Sequence, residues 1–242
     1  MLKPNFHIVI PARYGSSRFP GKPLANICGK PMIQHVHEIA CRTKAKSVTI
    51  ATDNVQILDF CKTIKAQCIL TDTTCESGTD RLAEVSRIHG WCSDDIVVNL
   101  QGDEPLMPPS LVNQVASLLE YFTGSDCNIA TLYTPIENGN NPNDVKVITD
   151  EYGYAMYFSR CAIPHGATIF KRHIGLYAYR VGFLQNFEYM PNCGLERVEH
   201  LEQLRAMYHG AKIRVEEAVE IPGPDVNCPE DLEHVIKAMK NE

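Results

Sequence analysis

Ile10-Pro11-Ala12-Arg13-Tyr14-Gly15-Ser16-Ser17-Arg18-Phe19-Pro20-Gly21-Lys22-Pro23-Leu24 closes a short apolar run, Phe6–Ile10, and crowds two glycines, two arginines, a lysine and two serines into one loop. Small residues let backbone N–H groups approach phosphate oxygens. The cationic side chains neutralise charge that a helix N-terminus offsets only in part, so the composition points to a polyphosphate. A Walker A loop is excluded by spacing. Five residues separate Gly15 from Gly21 where that motif has four, and Lys22 precedes Pro23 rather than Ser or Thr. No G-x-G-x-x-G dinucleotide fingerprint can be read here either. Pro20 and Pro23 oppose a regular helix at Lys22 and predict an extended, stiff loop. The competing reading is a solvated basic surface loop.

Working outward, apolar runs of strand length occur at Phe6–Ile10, Val48–Thr52, Gln67–Thr71 and Ile96–Leu100, with amphipathic stretches at Pro31–Thr43, Val55–Lys65 and Asp80–Ile88 between them. This alternation predicts a parallel sheet with helices on both faces, which binds ligands at the carboxyl ends of its strands. A helix over about Ser110–Phe122 leads to a strand at Ile129–Thr134. Val145–Thr149, Ala155–Ser159 and Ile174–Tyr179 then have strand character with no long helix between them, which predicts an antiparallel extension. Leu195, Val198, Leu201, Leu204 and Met207 mark one apolar face of a single helix ended by Gly210. A short strand at Ile213–Val215 and a closing helix at Pro229–Met239 complete the pattern.

The 242 residues, 44% hydrophobic and 21% charged, suit one globular domain, here read as 1–242. A net charge of −6 disfavours a general nucleic-acid binder, while Arg13, Arg18, Lys22 and Lys30 can still focus a local positive field. Ten cysteines occur without any C-x-x-C spacing, which disfavours zinc. No export signal or membrane span is legible, and the expectation is a cytoplasmic protein with reduced thiols and no membrane partner.

Five segments resemble the 3-deoxy-manno-octulosonate (Kdo) cytidylyltransferases. They are Arg13 to Lys22 continued by Gly29-Lys30-Pro31-Met32-Ile33, then Ser77-Gly78-Thr79-Asp80-Arg81, Gln101-Gly102-Asp103-Glu104-Pro105, Tyr157-Phe158-Ser159-Arg160, and His173-Ile174-Gly175-Leu176-Tyr177 paired with Leu201-Glu202-Gln203-Leu204-Arg205. The resemblance implies a Rossmann-like nucleotide-diphospho-sugar transferase fold of α/β class, with a mostly parallel central sheet. It also implies an antiparallel sugar-binding and dimerisation subregion at about 145–190, and a homodimer. The implied reaction joins CTP to Kdo, giving CMP-Kdo for lipopolysaccharide biosynthesis with release of pyrophosphate. Alternative acceptors are 8-amino-Kdo or a nonulosonic acid, and the different-class alternative is a silent nucleotide-binding regulatory module.

Such a transfer needs cations where charge grows on the triphosphate. Lys22 is the candidate for the α-phosphate, and Arg13 and Arg18 for the β and γ phosphates. Asp103, at a strand end between Gly102 and Glu104-Pro105, is the best candidate ligand for Mg²⁺, the expected cofactor. The resemblance extends nucleotide binding to Ala12, Ser77, Gly78 and Gln101, although Ser77 and Thr79 also suit the N-cap of the following helix. It assigns the sugar site to Arg160, His173, Tyr177, Glu202 and Gln203. Arg160 offers a guanidinium fork for a carboxylate, and His173 and Tyr177, four apart on a strand, share a face. The chain departs from the family at Val226-Asn227-Cys228-Pro229-Glu230-Asp231-Leu232, where the resemblance implies a second metal-binding aspartate at position 227. Three outcomes stay open: Asn227 holds the ion more weakly, Asp225 takes over, or the activity has diverged. The segment from Ile163 to Lys171 is also shorter than the corresponding connection in many relatives.

Overall fold

The computed structural model describes residues 5–15, 19–75, 77–122 and 126–241. In chain order the elements are β1 (Phe6–Ala12), a 3₁₀ turn (Lys22–Leu24), β2 (Asn26–Ile27), β3 (Lys30–Pro31), α1 (Met32–Cys41), β4 (Ser47–Thr52), α2 (Val55–Thr63), β5 (Cys68–Leu70), α3 (Gly78–His89), β6 (Ile96–Asn99) and α4 (Pro109–Tyr121). The second half contains β7 (Cys127–Ile136), β8 (Lys146–Thr149), β9 (Ala155–Ser159), β10 (Phe170–Arg180), α5 (Val181–Phe187), α6 (Gly194–Glu199), α7 (Gln203–Tyr208), β11 (Lys212–Glu217) and α8 (Pro229–Asn241).

The main sheet runs β11-β7-β10-β6-β1-β4-β5. β6, β1, β4 and β5 are parallel to one another, β11 is parallel to β7, and β10 is antiparallel to both of its neighbours. The fold is therefore the expected α/β one with a mostly parallel sheet. β8 and β9 form a small antiparallel pair joined to β10 through Arg172 and Lys146.

β1 shows why the sheet is covered on both sides. Phe6, Ile8 and Ile10 pack into the layer holding α1 and α4, while Val9 enters the layer holding α3, and none of the four is exposed. A strand buried on both faces reads as a continuous apolar run, which is the pattern parallel sheets require. α3 starts in a capping box: Ser77 Oγ accepts from the Asp80 N–H at 3.1 Å, and Asp80 Oδ2 accepts from the Ser77 N–H at 2.8 Å. Arg81 of the same motif is buried, donating to Thr71 Oγ1 and Asp53 Oδ2, and so ties α3 to the ends of β4 and β5.

Three local expectations are corrected and one unexpected element is added. Lys22 lies at the start of a 3₁₀ turn rather than on an extended loop: Gly21 adopts a φ of 71°, and Pro23 sits within the first turn, where its missing N–H removes nothing. Cys28 and Gly29, both at positive φ, form the two-residue loop of a β2–β3 hairpin that alternation does not reveal. β10 joins the expected antiparallel extension only through the Arg172–Lys146 pairing with β8. It is instead inserted between β6 and β7, because Leu176 to Arg180 are all buried and need neighbours on both edges. The single helix expected across Leu195–Met207 is broken at His200, which has a φ of 54°; Leu195 and Val198 are exposed while Leu201 and Leu204 are buried.

Candidate active site

Three loops meet at the carboxyl edge of the sheet: the one leaving β1, the start of α3, and the segment leaving β6. Their approach is close. A Cβ on Gly102 would stand 2.6 Å from the carbonyl oxygen of Pro11, and one on Gly78 would stand 3.4 Å from the Pro11 ring, so only a glycine passes at 102. The loops enclose a cavity of about 410 Å³ lined by Ala12, Arg13, Lys22, Gly78, Gln101 and Asp103. Arg18 lies outside the described residues.

Lys22 Nζ donates to Asp103 Oδ2 at 2.6 Å and to the carbonyl of Val226 at 2.9 Å. The Val226 N–H in turn donates to the carbonyl of Asp103 at 2.9 Å. These bonds clamp the C-terminal segment against the β6 loop and bring Asn227 into the same cavity. The Asn227 amide donates to Asp225 Oδ2 at 2.7 Å, and its backbone N–H is held by Asp231.

A second cavity, about 770 Å³, lies beside the first and shares Gln101, Asp103 and Asn227 with it. Arg160, His173, Tyr177, Gln203 and Asp225 all line it. Its walls carry unmet hydrogen-bonding capacity: Tyr177 Oη, Gln203 Nε2 and Glu104 Oε2 are buried without a partner among the described residues. Buried polar groups are nearly always paired, so three orphans on one cavity point to a ligand rich in polar groups.

Burial lowers the His173 pKa to about 3, and its Nε2 lies 3.0 Å from Thr131 Oγ1. The imidazole is thus a neutral hydrogen-bonding group at ordinary pH. Its ring is 5.1 Å from that of Tyr177 despite an irregularity in β10 between Ile174 and Tyr177. Burial, with smaller contributions from Tyr179 and Glu202, pushes the Tyr177 phenol well up, so it remains a neutral hydroxyl. Arg160 is less available than a free fork. Its Nε, Nη1 and Nη2 donate to the carbonyls of Glu199, Pro142 and His200 at 2.8, 3.2 and 3.4 Å.

Ser77 and Glu202 are not brought to either cavity. Both line a third, of about 1010 Å³, together with Asp80, Glu84 and Arg205. Glu202 accepts from Thr79 Oγ1 at 3.0 Å and pairs with Arg205, while burial raises its pKa. Among the residues of the second cavity that escape sequence reasoning are Glu104, which follows Asp103 directly, and Arg172, which precedes His173 and pairs with Asp144 at 3.7 Å. Their adjacency to Asp103 and His173 is the signal that could have found them.

The donor set suits a hard divalent cation. Asp103 and Asp225 supply carboxylates, Asn227 supplies an amide carbonyl, and Asp103 already holds the Lys22 ammonium. Among the described residues no three His, Cys, Asp or Glu side chains form a metal cluster by themselves. A magnesium ion bound mainly through substrate phosphates needs only one or two carboxylates.

The cytidylyltransferase family model matches residues 7–213. A 3-deoxy-manno-octulosonate cytidylyltransferase of Thioalkalivibrio sulfidiphilus (strain HL-EbGR7) is 50% identical over 250 aligned positions, covering 98% of this chain and 99% of the relative. The chain belongs to the 3-deoxy-manno-octulosonate cytidylyltransferase family. A Pseudomonas syringae pv. syringae (strain B728a) cytidylyltransferase of the same description is 47% identical, covering 97% of this chain and 98% of the relative. A solved CMP:2-keto-3-deoxy-manno-octonic acid synthetase complexed with CTP superposes with a TM-score of 0.91 at 41% identity, covering 98% of this chain and 99% of the solved one. As a cytidylyltransferase, the chain brings together, among its described residues, the two adjoining cavities that the sequence motifs line.

Proposed function

We propose that this cytidylyltransferase transfers CMP from CTP to the anomeric hydroxyl of Kdo and releases pyrophosphate. The observation carrying the reading is the shared wall: a cavity with Arg13 and Lys22 meets a cavity with orphaned polar groups at Gln101, Asp103 and Asn227. The names of the relatives and the CTP complex of the solved neighbour support the same assignment.

In this reading the triphosphate lies along Arg13 and Lys22, with Arg18 a further candidate. Ala12, Gly78 and Gln101 border the nucleotide, and Ser77 fixes the α3 end that supports Gly78. Arg160, His173, Tyr177 and Gln203 border the sugar, with Glu202 behind them against Thr79. The sugar oxygen attacks the α-phosphorus, the bond to the β-phosphate oxygen breaks, and the hydroxyl proton passes to solvent. Lys22 follows the charge that grows as pyrophosphate departs. Mg²⁺ is the proposed cofactor, held by Asp103 with Asn227 or Asp225, and when bound it screens the phosphate oxygens.

A homodimer and a cytoplasmic location belong to the same proposal. Met156 on edge strand β9 and Leu195 and Val198 on α6 are exposed apolar side chains, which suits a covered face. The ten free cysteines suit a reducing compartment. No helix among the described residues is long and apolar enough to cross a membrane.

The test is pyrophosphate release from CTP with Kdo, 8-amino-Kdo or a nonulosonic acid as acceptor. Release with Kdo at the highest kcat/KM is expected. A preference for another acid would reassign the acceptor, and no release with any would leave a silent nucleotide-binding module. A Mg²⁺ titration of Asn227→Asp and Asp225→Asn assigns the second metal position. If Asn227 holds the ion, Asn227→Asp lowers the Mg²⁺ requirement; if Asp225 does, Asp225→Asn is nearly as damaging as Asp103→Asn.

A further inference from the structure

Glu104 differs from the carboxylates around it. Asp103 precedes it, and it lines the second cavity together with Asp225 rather than the nucleotide cavity. Its Oε2 is buried with no partner among the described residues. Gly175 of β10 lies across from it, where a Cβ would make ordinary van der Waals contact with Glu104 Oε1 at 3.8 Å.

A lone carboxyl buried among carboxylates is unfavourable for folding. A buried polar atom without a hydrogen-bond partner carries a desolvation cost that nothing in the fold offsets. Nothing in the local turn needs it. Its backbone N–H and carbonyl close the turns to Gln101 and Met107, work that any residue's main chain performs. A glutamate placed here without a partner is explained by a partner that arrives with the ligand. The second cavity offers that ligand other polar atoms at Tyr177 and Gln203, and its common border with the nucleotide cavity is at Gln101 and Asp103, next to Glu104.

We propose that Glu104 is a sugar-binding residue whose carboxyl hydrogen-bonds a hydroxyl of the acceptor and sets specificity for an acceptor carrying it. This rests on reading the second cavity as the acceptor site. Glu104 is thereby separated from Asp103 in role although adjacent in sequence: Asp103 faces the nucleotide and the metal, Glu104 the sugar. A side chain of this kind discriminates strongly, because an acceptor lacking the hydroxyl leaves the carboxyl buried and unpaired again.

The experiment compares wild type, Glu104→Gln and Glu104→Leu in steady-state pyrophosphate release, with KM measured separately for Kdo and CTP and with Mg²⁺ titrated. A set of Kdo analogues, each lacking one hydroxyl, is assayed alongside. Glu104→Leu is expected to raise KM for Kdo by about tenfold or more, with the KM for CTP and the Mg²⁺ midpoint within about twofold. Glu104→Gln, which retains hydrogen-bonding capacity, falls between. One deoxy analogue is expected to be poor for wild type and no poorer than Kdo for Glu104→Leu, a pattern that a merely structural role would not produce. A shifted Mg²⁺ midpoint would make Glu104 a metal-side residue and overturn the proposal, as would equal changes in both KM values or sensitivity to every analogue in both proteins. If Glu104→Leu does not fold, Glu104→Gln carries the test, and its analogue profile must flatten at one hydroxyl. Wild type inactive with Kdo would instead defeat the acceptor reading itself.

Discussion

At the scale of single residues, Lys22 combines position with charge. Its ammonium is largely buried beside Asp103 and reaches Val226, so moving to a phosphate, as proposed, would exchange one set of oxygen partners for another. Lys22→Ala is expected to lower kcat by about 10²- to 10³-fold, as loss of a transition-state donor does, with circular dichroism unchanged. Unaltered turnover would remove Lys22 from the reaction. His173 sets a pH dependence. Its folded pKa of about 3 lies below the ordinary value of 6.5, so its contribution is fully present above about pH 6.5 and is lost as pH falls towards 3. Tm measured from pH 7 to 4 should fall by an amount worth a few kcal/mol, and His173→Gln should flatten that part of the curve. An identical slope in the variant would place the acid sensitivity elsewhere. What can be read from sequence at this scale is charge and spacing, which is why Arg13, Lys22, Gln101 and Asp103 converge as expected. Glu202 is not legible in the same way, because its direction depends on the Thr79 hydroxyl presented by another element 123 positions away.

Among the elements, the broken helix and the crossed loops carry the sharpest consequences. α6 and α7 meet at a left-handed corner, and Arg160 donates to carbonyls on the corner and on the 141–144 segment. A lysine cannot span three acceptors in that geometry. Arg160→Lys should therefore lower Tm by a few degrees and raise KM for the acceptor more than KM for CTP; equal effects on both substrates would make Arg160 a general stability residue. Gly102 lies where two loops cross. Gly102→Ala forces its Cβ against the Pro11 carbonyl at 2.6 Å, so one loop must move. The expected loss is about 2–4 kcal/mol of stability with weakened CTP binding by calorimetry, and a variant of wild-type Tm and affinity would show that the crossing can relax. Apolar periodicity reveals α1 to α4 because each buries one local stripe. It merges α6 and α7 into one helix because a third-residue repeat is blind to a corner at His200, and it sets β10 at the margin because strand partners are chosen by distant residues.

For the molecule as a whole, the exposed apolar side chains of β9 and α6 are the face on which the proposed homodimer is tested: wild type is expected to sediment as a dimer and Val198→Asp to shift towards monomer, while a dimeric variant would place the contact elsewhere and a monomeric wild type would remove the dimer proposal. Alternation of strands and helices is enough to see the sheet and its working edge, since it is a local property repeated along the chain. The C-terminal segment's return to that edge is visible only as a motif, because no local signal says that Val226 will pair with Asp103. The bond from Lys22 to Val226 joins positions 204 apart in sequence. The protein thus carries its own counter-ion for Asp103, and the same ammonium fastens the two ends of the fold across the substrate's seat. A triphosphate bound as proposed would draw Lys22 away and unfasten that point. On the proposed function, charge neutrality at Asp103 would pass from protein to substrate and back with each turnover, while the apolar cluster of Ile27, Met32, Val226 and Val235 holds α8.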